Sequence, residues 1–444
     1  MPTKLTGFHG LLLGLAIAIT SLPALATDYE VNTNTDGPPA MDTLLTLREA
    51  VMAANSNAAV GDAPAGEAGV TDTISFTGLP FAAGGTITLS EGELSITESL
   101  DIDGSAGPLR VTVDGGAASR VFNIGGAALT PIVNLDNLII SNGTAADGGA
   151  VFIAQGSAVA MSGSDISDSV ATGAAASNGG GGIFNAGSLT LIDGVISGNT
   201  ATVGSGSGGG IFNAEGASLV ATGTTISNNQ AARAGGGIET RALASVTLNS
   251  VTLGSDGALL AGNTAGPMPG NGGGLHMTGN GSVTIDAGSI NGNSAASEGG
   301  GLWNSVGNMT VRNAAVIDGN VASGAEASNG GGGVFNDGGT LSISETTISN
   351  NIADGDAGSG GGVFNELGGS LSISDSSISG NLANRAGGGI EDNSGAQTTV
   401  LLTGVTLDQN NAGVAPATAM PGNGGGLHVS GDGNITITLS LIHI

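Results

Sequence analysis

The segment Gly180-Gly181-Gly182-Ile183-Phe184-Asn185 decides the fold, because close variants of it recur along most of the chain. We call it the tri-glycine motif. The aliphatic residues that follow the glycines in its variants are Val151, Ile183, Ile211, Ile238, Leu275, Leu302, Val334, Val363, Ile390 and Leu427. Their spacings run from 27 to 37 residues. Self-similarity at such a period is typical of solenoids and other repeat arrays.

A second motif follows each tri-glycine motif: an aliphatic residue, two small or polar residues, Asn, one further residue and Ala, as in Ile196 to Ala201. An alternating stretch such as Ser188-Leu189-Thr190-Leu191 separates the two motifs, which predicts three short β segments per coil. In coils stacked in register, each Asn amide can hydrogen-bond the same amide one coil away. The predicted ladder consists of Asn199, Asn229, Asn263, Asn293, Asn320, Asn351, Asn381 and Asn410.

These repeats predict an all-β fold, a right-handed, single-stranded parallel β-helix over residues 81–438 that follows a short N-terminal helical cap. About 11 to 14 coils, at about 4.8 Å each, would form a rod about 55–65 Å long. A β-propeller is the alternative for repeats of this size, but its blades need four strands and usually longer repeats.

The array also contains a higher-order repeat. Five coils at about residues 151–301 are duplicated from residue 302 onward, and the second copy is cut short. Met268 to His276 recur unchanged as Met420 to His428, at an offset of 152 residues. The match fails at Leu439 to Ile444, a hexapeptide that also corresponds to one reading frame of a common sequencing adapter. We therefore expect residues 439–444 to be a non-native tail and the gene to be truncated there.

Composition restricts the class of protein. The 444 residues include 84 glycines but one Trp and one Tyr, so a thin core of stacked aliphatic side chains is expected rather than a thick globular one. The formal net charge of −28 repels phosphate backbones and anionic lipid, which argues against a nucleic-acid partner. The chain has no cysteine, so its stability cannot depend on disulfides.

Residues 1–26 have the features of a secretory signal peptide. Lys4 supplies the basic region, Leu11 to Ile19 the apolar region and Ala24-Leu25-Ala26 the cleavage site. Cleavage near Ala26 removes the only lysine and no acid, so the formal charge changes from −28 to −29. This pattern predicts a secreted or outer-surface protein. An uncleaved anchor is the alternative, although the apolar run is short for a transmembrane helix.

Residues 27–80 are predicted to form the N-terminal cap that covers the open end of the solenoid. Asp42-Thr43 predicts a helix start, and the apolar residues that follow define one helical face ending near Asn55. Residues 71–76, 86–89 and 94–102 have the alternating pattern expected of the first strands of the rod.

The cap resembles a known domain. Leu45-Thr46-Leu47-Arg48-Glu49-Ala50 and Asp72-Thr73-Ile74-Ser75-Phe76 are similar to the CSLREA domain of bacterial exported proteins, over roughly residues 30–105. Leu45 and Thr46 stand where that family has its Cys and Ser. The tri-glycine coils are similar to polymorphic outer-membrane protein repeats of the pectin-lyase-like superfamily. The resemblance implies an exported, often surface-displayed protein, usually without an assigned reaction.

The residue after each marker aliphatic residue is the candidate for ligand binding. The marker is expected to point inward, so strand alternation directs its neighbour outward. That neighbour is usually aromatic, but it is Glu or His in the third and fourth coils of each block. With two nearby arginines, the possible ligand stripe comprises Phe184, Phe212, Arg233, Glu239, His276, Trp303, Phe335, Phe364, Arg385, Glu391 and His428. The favoured alternative is that loops pack over the aromatic residues and that duplication copied the polar ones.

No catalytic residue, cofactor or specific metal site is predicted. A lyase needs carboxylates converging on Ca²⁺ with a base, and a hydrolase needs paired acids and commonly aromatic platforms. Acids such as Asp318, Asp354 and Asp356 are interpreted as a solvated face, with diffuse or weak Ca²⁺ binding.

We therefore predict a non-catalytic, adhesin-like or structural scaffold that binds through an extended face. The expected partners are a host or neighbouring cell surface, matrix or polysaccharide, and membrane attachment would need a missing C-terminal region. The alternative is a carbohydrate-active enzyme of the same fold, either a polysaccharide lyase or a glycoside hydrolase.

Overall fold

The computed structural model describes residues 25–106, 109–126, 129–255, 261–413 and 422–442. The predicted signal peptide, apart from its last two residues, lies outside the described residues, as do His443 and Ile444 of the predicted tail.

The chain forms a parallel β-helix, as predicted. Its coils contribute strands to four sheets, in which each strand pairs with the equivalent strand of the coil before and after it. In one coil the strands run in the order Ile183–Asn185, Ser188–Ile192, Val195–Ser197 and Thr200–Ala201, and we number the four sheets I to IV in this order. The prediction of three segments per coil was wrong, because Thr200–Ala201 forms a fourth, two-residue strand.

Sheet I contains the marker residues, and sheet II contains the longest repeated strands. The described strands of sheet I are Leu94–Ile96, Phe122–Ile124, Val151–Ile153, Ile183–Asn185, Ile211–Asn213, Ile238–Thr240, Leu275–Met277, Leu302–Asn304, Val334–Asn336, Val363–Asn365, Ile390–Asp392 and Leu427–Val429. Those of sheet II are Asp28–Val31, Asp72–Phe76, Leu100–Asp103, Ile132–Asp136, Ala158–Ser162, Ser188–Ile192, Ser218–Thr222, Ser245–Asn249, Ser282–Asp286, Asn308–Arg312, Thr340–Ser344, Ser370–Ser374, Thr399–Thr403 and Asn434–Thr438.

Sheets III and IV flank the asparagine corner. The described strands of sheet III are Thr86–Thr88, Leu109–Asp114, Leu138–Ser141, Asp165–Ser167, Val195–Ser197, Thr225–Ser227, Thr252–Gly254, Ser289–Asn291, Val316–Asp318, Thr347–Ser349, Ser377–Ser379, Thr406–Asp408 and Leu441–Ile442, with Ser105–Ala106 antiparallel to Leu109–Asp114. Those of sheet IV are Thr144–Ala145, Val170–Ala171, Thr200–Ala201, Gln230–Ala231, Thr264–Ala265, Ser294–Ala295, Val321–Ala322, Ile352–Ala353, Leu382–Ala383 and Asn411–Ala412.

Aliphatic columns form the core. Ile183, Ile211, Ile238 and Leu275 are partners in adjacent strands of sheet I, and each is fully buried. One coil cannot bury such side chains alone, whereas stacking buries each against its neighbours above and below. Full burial of one aliphatic side chain stabilises a fold by about 1.5–3 kcal/mol, so the columns supply a large part of the stability.

The tri-glycine motif is required by backbone packing. Gly180 has a φ of +64°, and a Cβ there would lie 2.1 Å from the carbonyl oxygen of Ile183. A Cβ on Gly181 would lie 2.4 Å from the carbonyl oxygen of Gly209 in the next coil. The coils therefore approach backbone to backbone at this corner, which only glycine permits.

A helix at Leu47–Ser56 follows the first strand of sheet II. The predicted start at Asp42-Thr43 was wrong, because Thr46 is the N-cap and forms a capping box with Glu49. Arg48 binds Asp36 through Nε at 2.7 Å and also donates to the carbonyl oxygens of residues 92 and 93. The motif that resembles the CSLREA family thus holds the helix against the first coils.

At the other end, the predicted non-native tail contributes two residues to the rod. Leu441 and Ile442 pair in parallel with Thr406 and Leu407 and extend sheet III by one strand. No helix within the described ranges is long and apolar enough to span a membrane.

Candidate functional site

The predicted ligand stripe forms one column on the outer side of sheet I. Nine of its members follow Phe152 at equivalent positions in consecutive strands: Phe184, Phe212, Glu239, His276, Trp303, Phe335, Phe364, Glu391 and His428. The other two members, Arg233 and Arg385, precede the tri-glycine motifs and approach the column at Glu239 and Glu391. Three of these rings form an apolar cluster separate from the main core, so the column points away from the interior.

Most of the outer column is buried, whereas Phe152, Phe184 and His428 are half-buried. Phe212 is 2% exposed and Trp303 is 7% exposed. The guanidinium of Arg241 lies 5.5 Å above the ring of Phe212, and that of Arg120 lies 5.2 Å above Phe152. Neighbouring rings are stacked from Phe152 to Phe212 and from His276 to Phe335, whereas Phe335 and Phe364 meet edge to face.

Glu239 forms the centre of a buried ionic cluster in the first block. Its Oε1 accepts from Arg233 at 2.7 Å, Arg241 at 3.0 Å and the Thr278 hydroxyl at 2.9 Å. Its Oε2 lies 2.7 Å from Nδ1 of His276. Burial raises the pKa of Glu239, but His276 and the two arginines outweigh it and lower the pKa to about 2. The carboxylate is therefore ionised and its partners belong to the same chain.

The equivalent cluster in the second block centres on Glu391. His428 Nδ1 lies 2.8 Å from its Oε2, and the Ser430 hydroxyl donates to its Oε1 at 2.7 Å. Arg385 is more distant, at 3.7 Å, and Asn393 occupies the position of the second arginine. Here burial dominates the opposing hydrogen bonds and charges, and it raises the pKa of Glu391.

Sequence reasoning missed Arg241, although its position carried a signal. Arg241 lies two residues after Glu239, and alternate residues of an extended chain project to the same side. Sequence reasoning also missed Thr278, which lies two residues after His276 in the same way. Both residues complete the hydrogen bonding of the buried carboxylate.

A second group of acids lies beside Trp303. Glu298 accepts from Nε1 of Trp303 at 3.1 Å and from Nδ2 of Asn329 at 2.7 Å. Burial raises the pKa values of Glu298, Asp337 and Glu366, and the charge of Asp337 raises those of both glutamates further. These acids lie in segments between the repeated motifs, and sequence reasoning missed the group because only folding brings their coils together.

The eight predicted ladder asparagines form one continuous buried column. Oδ1 of Asn229 accepts from both the backbone N–H and the side-chain amide of Asn199, each at 3.0 Å. The amide of Asn229 donates in turn to Oδ1 of Asn263 and to the carbonyl oxygen of Ile196. The same pattern continues to Asn410, so each side chain connects three successive coils.

Sequence reasoning missed a second, shorter amide column inside sheet I. Asn304 donates to Asn336 at 2.7 Å, Asn336 to Asn365 at 2.8 Å and Asn365 to Asp392 at 2.8 Å. These residues end the tri-glycine motifs, so their recurrence was visible in the sequence. Their inward direction follows from the two-residue alternation after the marker.

The arrangement can do little chemistry at the two ionic clusters, since both carboxylates are fully buried and bound by their own chain. Across the residues that the structure describes, no group of three or more His, Cys, Asp or Glu side chains is arranged to hold a metal ion. Asp318, one of the predicted solvated acids, accepts hydrogen bonds from Ser349 and Asn350 at a corner of the rod.

Comparison of the chain with protein-family models and with curated proteins finds no match.

Proposed function

We propose that this protein is an exported β-helix scaffold, secreted or displayed on the outer cell surface, with an adhesin-like or structural role. Its partner would be a cell surface, matrix or polysaccharide, bound along an extended face rather than in a pocket. The signal-like N-terminus and the resemblance of the cap to CSLREA domains support the exported state.

One observation carries the proposal: the polar residues most suited to catalysis are used to build the rod. Glu239 and Glu391 have no exposed surface, and each binds cationic and hydroxyl groups of its own chain. What the rod offers to a partner instead is long columns of equivalent side chains on consecutive coils.

The experiment combines binding with turnover. Mature protein is incubated with intact bacterial and host cells and with a panel of polysaccharides, and both bound protein and released sugar are measured. We expect the protein to bind at least one surface and to release neither reducing ends nor unsaturated products. Release of either product that scales with protein concentration contradicts the scaffold proposal.

A second candidate, a carbohydrate-active enzyme, is favoured by the three acids beside Trp303. Raised pKa values of Glu298, Asp337 and Glu366 suit carboxyl groups that hold protons, as a general acid in glycoside hydrolysis must. The test is Glu298→Gln, which would abolish any sugar release by an enzyme of this kind. The scaffold proposal expects no release from either protein and unchanged binding.

A further inference from the structure

Part of the outer side of sheet II carries no net charge. We define the hydroxyl face as the outward side chains of the eight strands from Ser188–Ile192 to Thr399–Thr403. Each strand contributes three outward residues, which gives 24 positions; seven lack a hydroxyl group, and the remaining 17 are Ser or Thr. The seven are Ile192, Val220, Asn249, Asp286, Asn308, Arg312 and Leu401.

Its only two charges cancel within the face. Arg312 binds Asp286 in the adjacent strand, with Nε 2.9 Å from Oδ2. The face thus has one acid and one base, whereas the whole chain has 36 acidic and eight basic residues.

The remaining outer surfaces show the contrast. In the first coils of sheet II itself, Asp101, Asp103 and Asp136 project outward, and the charges of the first two raise the pKa of Asp136 beyond the effect of burial. Near sheet III, Glu345 and Asp375 line a shallow groove. A partner that approached either region would meet net negative charge, whereas the hydroxyl face presents none.

The free hydrogen-bonding groups of the face define the partner's chemistry. In the central column, Thr247, Thr284, Thr310, Ser342 and Ser372 are half-exposed. A hydroxyl group both donates and accepts, and it rotates to suit its partner. Such groups recur about every 4.8 Å along the rod and about every 6.7 Å along each strand, which is a periodic array rather than a pocket.

The polarity of the face argues against a second copy as its occupant. A stable dimer commonly buries about 800 Å² per partner with an apolar centre. The central column of the hydroxyl face instead has five successive Ser and Thr residues, from Thr247 to Ser372. An extended polymer instead makes many weak, repeated contacts, and their number supplies the affinity.

We propose that the hydroxyl face is the docking surface for an uncharged polysaccharide, whose chain lies along the rod and exchanges hydrogen bonds with the Ser and Thr columns. This inference rests on the proposed scaffold function and specifies the face and the chemical class of its partner. Polymers rich in carboxylate or sulfate are disfavoured, because approach to the acidic rod repels them.

The test uses paired substitutions. Thr247→Glu with Thr284→Glu places two charges on neighbouring strands of the hydroxyl face. The control, Thr225→Glu with Thr252→Glu, makes the same change on neighbouring strands of sheet III at residues that are also half-exposed. Binding of the mature chain to uncharged glucan, mannan and galactan, and to polygalacturonate, is measured by depletion, with thermal unfolding to verify folding.

We expect at least tenfold weaker binding to an uncharged polymer for the hydroxyl-face variant and a change within twofold for the control. Thr247→Val with Thr284→Val keeps the side-chain shape, and we expect about threefold weaker binding should the charged variant fail to fold. Equal losses for face and control variants would overturn the proposal. The proposal would also be overturned if the wild-type protein self-associated and the hydroxyl-face variant did not, because a second copy would then be the occupant.

The outcomes separate this inference from the proposed function. Binding to cells or to charged polymers alone leaves the scaffold function standing and overturns the assignment of an uncharged polysaccharide. Failure to bind any cell or polymer contradicts both proposals.

Discussion

The two blocks contain equivalent buried glutamates whose pKa values are shifted in opposite directions. Glu239 is bound by two arginines, a histidine and a threonine, and its pKa is lowered to about 2. Glu391 lies at the equivalent position 152 residues later, yet its pKa is raised. Both side chains are fully buried, so burial alone does not explain the difference.

One substitution, one longer distance and a difference in exposure account for it. The second block has Asn393 in place of Arg241, and its remaining arginine lies 3.7 Å from the carboxylate rather than 2.7 Å. The rings of His276 and Trp303 are also stacked, with their centroids 4.2 Å apart. The side chain of His276 is therefore 4% exposed, whereas that of His428 is 22% exposed. The comparison teaches that the number of cationic partners in reach, rather than the fold, decides the direction of the pKa shift at this column.

The largest expected effect is the loss of the Glu239 carboxylate. Glu239→Gln leaves two arginines without their counter-charge, and we expect it to lower the free energy of unfolding by about 3 kcal/mol at pH 7. Glu391→Gln removes a weaker set of contacts and should lower it by about 1 kcal/mol or less. Urea unfolding of both variants measures the difference, and equal effects would show that the two sites are equivalent.

The pH dependence should have opposite signs at the two sites. The pKa of Glu239 is below its unfolded value, so its stabilising contribution is present above about pH 4.5 and is lost as the pH falls toward 2. The pKa of Glu391 is raised, so its contribution is fully present below the unfolded pKa and is lost as the pH rises through the folded pKa.

The measurement is the difference in stability between wild type and each Gln variant as a function of pH. For Glu239→Gln, the deficit should shrink as the pH falls from 6 to 2, and the full shift corresponds to about 3 kcal/mol. For Glu391→Gln, wild type should gain stability relative to the variant as the pH falls through the upper part of that range. Parallel profiles for the two variants would contradict pKa shifts of opposite sign at Glu239 and Glu391.

The smallest expected effect comes from exchanging the two residues that differ. Arg241→Asn should raise the pKa of Glu239 and destabilise the protein by about 1–2 kcal/mol, because one charged partner is lost. Asn393→Arg should lower the pKa of Glu391 and stabilise the protein by up to about 1 kcal/mol, with the guanidinium over Phe364 as Arg241 lies over Phe212. Carboxyl chemical shifts of labelled glutamate followed by NMR report both pKa changes, and an unmoved Glu391 pKa would show that burial alone controls it.

Repetition explains how much of the fold the sequence predicts. The ten marker residues, from Val151 to Leu427, occupy the same backbone position in successive coils. A residue type that recurs at such a period is expected to stack on its equivalents in the neighbouring coils. The asparagine column follows in the same way, from a single repeated position. In contrast, Thr200–Ala201 is too short to show an alternating pattern, so the fourth strand of each coil is not predicted.

The features that sequence reasoning missed depend on side chains outside the repeated positions. The helix starts later than predicted because the hydrogen bonds of Thr46 and Glu49, rather than apolar periodicity, define its first turn. The acids Glu298, Asp337 and Glu366 lie in segments between motifs, and their proximity arises only when three coils are stacked. Repetition predicts columns, but it does not predict the contacts that differ from coil to coil.

The direction of the asparagine column has a consequence for how such proteins change in length. From Asn229 to Asn381, each side-chain amide accepts from the Asn of the coil before it and donates to the Asn of the coil after it, so each internal junction is chemically the same as the next. Insertion of a further five-coil unit would lengthen the molecule by about 24 Å and create no new type of junction. The length of the rod can therefore evolve by unequal recombination in discrete steps, while the residues that connect each junction stay the same.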